Sequence, residues 1–337
     1  MNTKQWLAGI IAAEKRKAMP ILSFPCTQLQ GITVRELVSN SDLQAGGMAM
    51  IAERCPTAAS VSMMDLSVEA ECFGAQICFS DDEVPAVIGA VVSTPEEANA
   101  LVVPAVGTGR TGAYLEAIAK AKATITDRPL FAGVIGPFSL AGRLMDMTGI
   151  MVNCYDAPEM VHTVLEKTTS FLISYISAYK RIGANGVIMA EPAAGLLSPA
   201  LCIEFSSPYI KQIVAAVQDE NFIVIYHNCG PAIAKLTKEI LQTGAAAYHF
   251  GNAIEMKKIL ELMPSDTLVL GNVDPVSIFR NGTPESMRDA TFQLLSACSP
   301  HKNFLISSGC DIPPLSPWAN IDAFFEAVND FYQTTLK

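Results

Sequence analysis

No run of apolar residues in the chain reaches the roughly 18 uncharged positions that a transmembrane helix needs, so a membrane span is excluded. The longest early run, Trp6 to Ala13, stops at Glu14-Lys15-Arg16-Lys17 without a small-residue cleavage site. It reads as an amphipathic helix rather than a signal segment. Positive charge is scarce and scattered: 23 Lys and Arg stand against 33 Asp and Glu, for a net charge of -10. Nucleic-acid binding, which rests on clustered cations, is therefore not expected. Paired cysteine spacing is missing as well. The nine cysteines are odd in number and irregularly spaced, with Cys72, Cys78 and Cys202 in apolar or helical surroundings, so they make no disulfide framework. A reducing, cytoplasmic setting is the expectation. No Gly-x-Gly-x-x-Gly turn opens the chain, and Thr108-Gly109-Arg110-Thr111-Gly112 lacks the phosphate-loop pattern and its lysine. No internal repeat or low-complexity linker divides the sequence, which is read as one domain over residues 1–337.

What is present is a large apolar fraction, 50% of the residues, much of it in short β-rich runs that alternate with helical stretches. The runs are Pro20 to Pro25, Ala58 to Met64, Leu130 to Ile135, Gly186 to Ala190, Phe222 to Tyr226, Ala245 to Tyr248, Thr267 to Leu270 and Asn303 to Ile306. Runs that are apolar throughout belong to a parallel sheet buried on both faces. Eight of them in this alternation predict the α/β class and a (β/α)8 TIM barrel with an N-terminal helical extension. Residues 66 to 128 are too many for one connection and are read as an insertion after the second strand, lying over one end of the barrel like a lid. An open doubly wound sheet is the competing architecture. Polar residues close at least six of the runs instead of gathering at one switch point, which favours the barrel.

Those closing residues carry the chemistry. One run ends in His227-Asn228-Cys229-Gly230, which puts an imidazole and a thiol two residues apart and lets both point the same way from a strand end. A second ends in Ser307-Ser308-Gly309-Cys310-Asp311. Two thiolates and one imidazole make a three-ligand zinc set with an open fourth position, the pattern of catalytic rather than structural zinc. The plain alternative is that Cys229 and Cys310 are core thiols and His227 a hydrogen-bonded core histidine. Glu191, closing another run, is the carboxylate expected nearest the metal, as a resting fourth ligand or as the base that takes a proton from a bound thiol. Its own alternative is a rim carboxylate that holds a loop. Asp65, Asn252, Asn272, Asp274 and Asp311 are candidates to orient ligands or substrate, and His249 either joins them or is a buried, hydrogen-bonded histidine.

The chain resembles the uroporphyrinogen decarboxylase superfamily, and within it the corrinoid-dependent methyltransferases of the methylcobamide:coenzyme M type. The resemblance covers nearly the whole length and is carried by Val68-Glu69-Ala70-Glu71-Cys72-Phe73-Gly74-Ala75, Gly136-Pro137-Phe138-Ser139-Leu140, His227-Asn228-Cys229-Gly230, Gly271-Asn272-Val273-Asp274-Pro275 and Gly309-Cys310-Asp311-Ile312-Pro313-Pro314. It implies Zn2+ on His227, Cys229 and Cys310, a set that the true decarboxylases lack. It also implies a methyl group moved between a corrinoid (methylcobalamin) and a small thiol held on the metal. Decarboxylases of this superfamily carry an Arg-rich N-terminal motif, whereas Phe24-Pro25-Cys26-Thr27-Gln28 stands here without an arginine. The chain has no Asp-x-His-x-x-Gly for holding a corrinoid, because Ile225 stands where that motif's Asp would precede His227. The corrinoid is therefore expected on a partner protein, docked at the barrel mouth. A demethylase taking methyl from an ether-type donor to cob(I)alamin is the alternative enzyme. A corrinoid-protein docking or zinc-storage module is the non-enzymatic one.

Overall fold

The computed structural model describes residues 1–335. Its centre is a curled parallel sheet of seven strands, β1 (Ser60–Val61), β4 (Leu130–Ile135), β5 (Gly186–Ala190), β6 (Ile223–Asn228), β7 (Ala247–Phe250), β8 (Leu268–Val273) and β9 (Phe304–Ser308), hydrogen-bonded in that order. Strands β2 (Gln76–Cys78) and β3 (Ala86–Ile88) form a separate antiparallel hairpin. Sequential parallel order with helical crossovers is the barrel topology that the alternation predicts.

The eighth position departs from expectation. The run at Pro20 makes no strand ladder, yet its neighbourhood bridges both edges of the sheet. The Met19 N–H donates to the Ile306 carbonyl of β9 (3.0 Å), and on the other side the Ala58 N–H donates to the Ala18 carbonyl (2.8 Å). Pro20 has no N–H to give and the Ile21 N–H goes to the Ser308 hydroxyl (3.0 Å), so the ladder cannot continue. An extended segment with mixed partners closes the curl in place of a regular strand.

Side-chain alternation divides the apolar residues into two cores. Inside the curl lie Met19, Ile21, Val61, Ile188, Ala190, Ile223, Ile225, Leu268, Leu270 and Leu305. The alternate residues, such as Val187, Met189, Val224, Tyr226, Val269 and Phe304, face the surrounding helices. The N-terminal extension is α1 (Thr3–Ala12), with Asn2 capping the Gln5 N–H. It covers the end of the barrel where the strands begin: Trp6 and Ile10 pack on the inner core, and the Trp6 and Phe131 rings lie 5.5 Å apart.

The insertion holds a short helix (Val68–Cys72), the β2/β3 hairpin and a helix at Pro95–Ala100. The last part of the expected stretch, Thr111–Thr124, is the helix leading into β4 and packs beside the helix Ser41–Arg54. Arg110 clamps the insertion to the barrel. Its guanidinium donates to Asp65 in the loop after β1, to Glu71 (2.6 Å) and to the Ser67 hydroxyl (2.8 Å), while the Tyr114 hydroxyl donates to Asp65 (3.0 Å). Asp65, expected to orient ligands or substrate, is occupied in this clamp. No helix among the described residues is long and apolar enough to cross a membrane.

Candidate metal centre

In β6, Ile223 and Ile225 point inward, and the same alternation brings His227 and then Cys229 to the inner side at the strand's C-terminal end. Asn228 points the other way and fixes the turn. Its Nδ2 donates to the Glu191 carbonyl (2.7 Å) and to the Tyr226 hydroxyl (3.0 Å), and its Oδ1 accepts from the Gly230 N–H (2.8 Å). Cys310 arrives from the end of β9, where the Gly309 N–H donates to the Val273 carbonyl (2.6 Å). Glycines stand where the loops meet: a Cβ on Gly251 would lie 2.6 Å from Cys229 Cα, and one on Gly230 would lie 2.6 Å from Gly195 Cα. The motifs Cys-Gly and Phe-Gly-Asn thus reflect backbone contact around the cluster.

One ligand atom from each of His227, Cys229 and Cys310 lies within 4.8 Å of the other two. His227 Nε2 and Cys310 Sγ are 3.5 Å apart. Tetrahedral zinc, with Zn–N about 2.0–2.1 Å and Zn–S about 2.3 Å, would separate such atoms by about 3.6 Å. The donor set and this spacing fit a metal ion. Among the described residues no further histidine, cysteine or carboxylate joins the group, and both cysteines are only half-buried.

The two thiols differ from the remaining buried ones. Burial pushes Cys26, Cys55 and Cys298 up to about 12, and Cys72 and Cys154 up to about 11, so these stay neutral packing groups. At the cluster, the hydrogen bond from Cys310 holds the Cys229 thiol below the usual thiol range against desolvation. That same bond and burial push Cys310 up. The pair therefore shares a proton, with the thiolate favoured at Cys229. Behind His227, its Nδ1 lies 2.7 Å from His249 Nδ1, and His249 Nε2 lies 2.7 Å from the Ser307 hydroxyl. Burial drives the His249 pKa well down, which keeps that ring neutral. His249 is thus a buried, hydrogen-bonded histidine and at the same time a neighbour of the cluster. Ser307 escaped the sequence reading, although its inward alternation after Leu305 was a usable signal.

Glu191 lies elsewhere than expected. Ala190 is the register partner of His227, and both point inward, so Glu191 faces outward with Asn228. Its Oε1 accepts the Ser139 N–H (2.7 Å) at the start of the helix Pro137–Met145, and its Oε2, without a hydrogen-bond partner, sits against Gly136. It is not among the cluster's ligand groups. Burial raises its pKa from 4.5 to about 8, despite the N–H bonds that favour the charged form. Between those values the folded state keeps a proton that the unfolded chain has released, so stability falls as pH rises from about 4.5 to about 8. Glu191→Gln removes this share of the slope. Urea midpoints taken at about pH 5 and about pH 9 are expected to lie closer together in the variant than in the parent protein. An unchanged difference would show that Glu191 is already ionised at the lower pH.

Of the other rim groups, Asn252 donates to Asp274 (2.9 Å), and Asp274 caps the Val276 and Ser277 N–H groups. Asn272 donates to the Gly251 and Ile254 carbonyls (2.8 and 3.0 Å). Asp311 accepts from the Ser23 hydroxyl (3.2 Å), and desolvation raises its pKa. All four tie loops of the mouth together.

Three comparisons bear on this geometry. A solved methyltransferase from Methanosarcina mazei superposes with a TM-score of 0.86, covering 98% of this chain and 99% of its own at 22% identity, which establishes the fold. Methylcobamide:CoM methyltransferase MtbA of Methanosarcina acetivorans is 28% identical over 271 residues, covering 79% of this chain and 78% of its own. Methylated-thiol--coenzyme M methyltransferase of Methanosarcina mazei is 24% identical, covering 86% and 77%. A uroporphyrinogen decarboxylase of Coxiella burnetii is 25% identical, covering 82% and 78%. The uroporphyrinogen decarboxylase (URO-D) family model matches residues 12–331, so the chain belongs to that family.

Proposed function

We propose that this enzyme transfers a methyl group between a corrinoid carried by a partner protein and a small thiol held on zinc by His227, Cys229 and Cys310. The observation that carries the reading is the cluster of one imidazole and two half-buried thiols at the mouth of the barrel, with no fourth protein ligand among the described residues. His227, Cys229 and Cys310 would hold zinc with its charge balanced by two thiolates, and the metal so held would be a weak Lewis acid that supplies a position for an electron-rich substrate thiolate. The likeness to proteins named as methylcobamide:CoM and methylated-thiol--coenzyme M methyltransferases supports this chemistry over decarboxylation. So does the region where decarboxylases carry arginines. Here Phe24 and Cys26 are fully buried, and Gln28 is spent on the Pro314 and Ser316 carbonyls (2.7 and 2.8 Å).

Glu191, facing away from the cluster, serves as a positioning group through the bond that its backbone carbonyl accepts from Asn228, rather than as ligand or base. We assign docking of the corrinoid protein to the insertion, whose exposed residues include Ile88 and Val102.

A thiol held in this way would release its proton near neutral pH, because bound metal would lower its pKa below the free value of about 8.5. Calorimetric titration of a small thiol into zinc-loaded protein, in buffers of different ionisation enthalpy, is expected to show about one proton released per thiol bound. Binding without release would remove the thiolate from the account.

A further inference from the structure

The His227 ring is tied, at the nitrogen remote from the cluster, into a chain of hydrogen bonds that ends on a fixed acceptor. The Met19 carbonyl can only accept, so the Ser307 hydroxyl spends its single proton there (2.7 Å). Toward His249 Nε2, at 2.7 Å, Ser307 then offers lone pairs alone, and that nitrogen must carry the proton. A neutral imidazole has one N–H, so His249 Nδ1 is an acceptor. His227 Nδ1, 2.7 Å away, must therefore be the donor. His227 Nε2 is left bare, and it is the atom 3.5 Å from Cys310 Sγ. His227 and His249 are register partners on β6 and β7, with ring centroids 4.7 Å apart and planes at 66°. All three side chains are 1% exposed or less, so water does not compete for these bonds.

We propose that Ser307 and His249 act together as positioning residues that fix the tautomer of His227, presenting its Nε2 lone pair to the metal. The relay runs from the closing segment through β9 and β7 to β6 and touches neither the ion nor the substrate. It rests on the reading of His227 as a metal ligand. Its consequence is that a change two hydrogen bonds away lowers metal affinity. Without the Ser307 oxygen, His249 is free to carry its proton on Nδ1. His227 must then protonate Nε2 to meet it, which blocks the ligand atom.

The test uses the metal-free full-length chain. The 15N shifts of the imidazole rings report which nitrogen is protonated. In the parent protein His227 is expected to carry its proton on Nδ1 and His249 on Nε2. Zinc affinity, measured by competition with a chromophoric chelator, is expected to fall about 10–100-fold in Ser307→Ala and in His249→Leu. His249→Gln, whose amide oxygen and N–H can restore both bonds, is expected to recover most of it. A His227 proton found on Nε2 in the parent protein would overturn the proposal without requiring any variant to fold. So would parental zinc affinity in Ser307→Ala. Cys229→Ala and Cys310→Ala separate the two ideas: if they too keep the zinc, the ligand reading itself fails, whereas zinc lost in them and kept in Ser307→Ala removes the relay alone.

Discussion

Cys229→Ala and Cys310→Ala are each expected to lose the zinc and, with it, methyl transfer, while Cys72→Ala keeps both. The loss should exceed the about 10–100-fold that a change behind a metal ligand costs, because one of only three protein donors is gone. Cys72 is the matched control. It belongs to one of the motifs that carry the family resemblance, but burial raises its pKa to about 11 and its sulfur lies 3.9 Å from the Ala105 carbonyl, within the insertion. Metal analysis after dialysis is expected to give about one zinc per chain in the parent protein and in Cys72→Ala. Zinc retained in full by both ligand variants would dismiss the cluster as a metal centre.

Gly251→Ala is the second change with a large expected effect, although it adds one methyl group and no polar atom. That methyl would lie 2.5 Å from Cys229 Cβ, 2.6 Å from its Cα and 3.3 Å from its carbonyl carbon. Two of these three atoms are backbone, so no side-chain rotation relieves the clash, and the turn carrying Cys229 must move. Overpacking of this kind costs about 1–3 kcal/mol of stability. The larger consequence is a displaced ligand, since metal geometry tolerates only about 0.2 Å in its bond lengths. Gly9→Ala is the contrasting control: it lies within α1, its added Cβ meets nothing, and alanine there favours the helix by up to about 1 kcal/mol. Zinc affinity and urea midpoint together separate the cases. Gly251→Ala should lower both, and Gly9→Ala neither. Parental zinc affinity in Gly251→Ala would mean that the Cys229 turn does not need its present position.

The juxtaposition of His227, Cys229 and Cys310 was legible because alternation along a strand survives in the sequence. Ile223, Ile225, His227 and Cys229 share a parity, and a glycine beside each cysteine signals close backbone approach. Register between strands is not written in either strand alone. Glu191 was therefore placed by its strand-end position, whereas the pairing of Ala190 with His227 turns it to the outer side. Ser307 was overlooked because a lone serine in a strand has many uses, and only the approach of His249 and Met19 gives it this one. The eighth strand failed as a regular ladder at Pro20, where the missing N–H and the serine partner of Ile21 replace sheet bonds. Within residues 66–128, Arg110 is drawn inward by Asp65 and Ser67, and the helix that leads into β4 starts directly after it.

The most direct measurement mixes zinc-loaded protein with free methylcobalamin and a panel of small thiols under anaerobic conditions and follows the visible spectrum. Conversion to cob(I)alamin is expected, with equimolar methylated thiol, only when the metal is present and His227, Cys229 and Cys310 are intact. Turnover that survives removal of the metal, or activity confined to methyl ethers with cob(I)alamin as acceptor, would contradict transfer to a thiol held at this site.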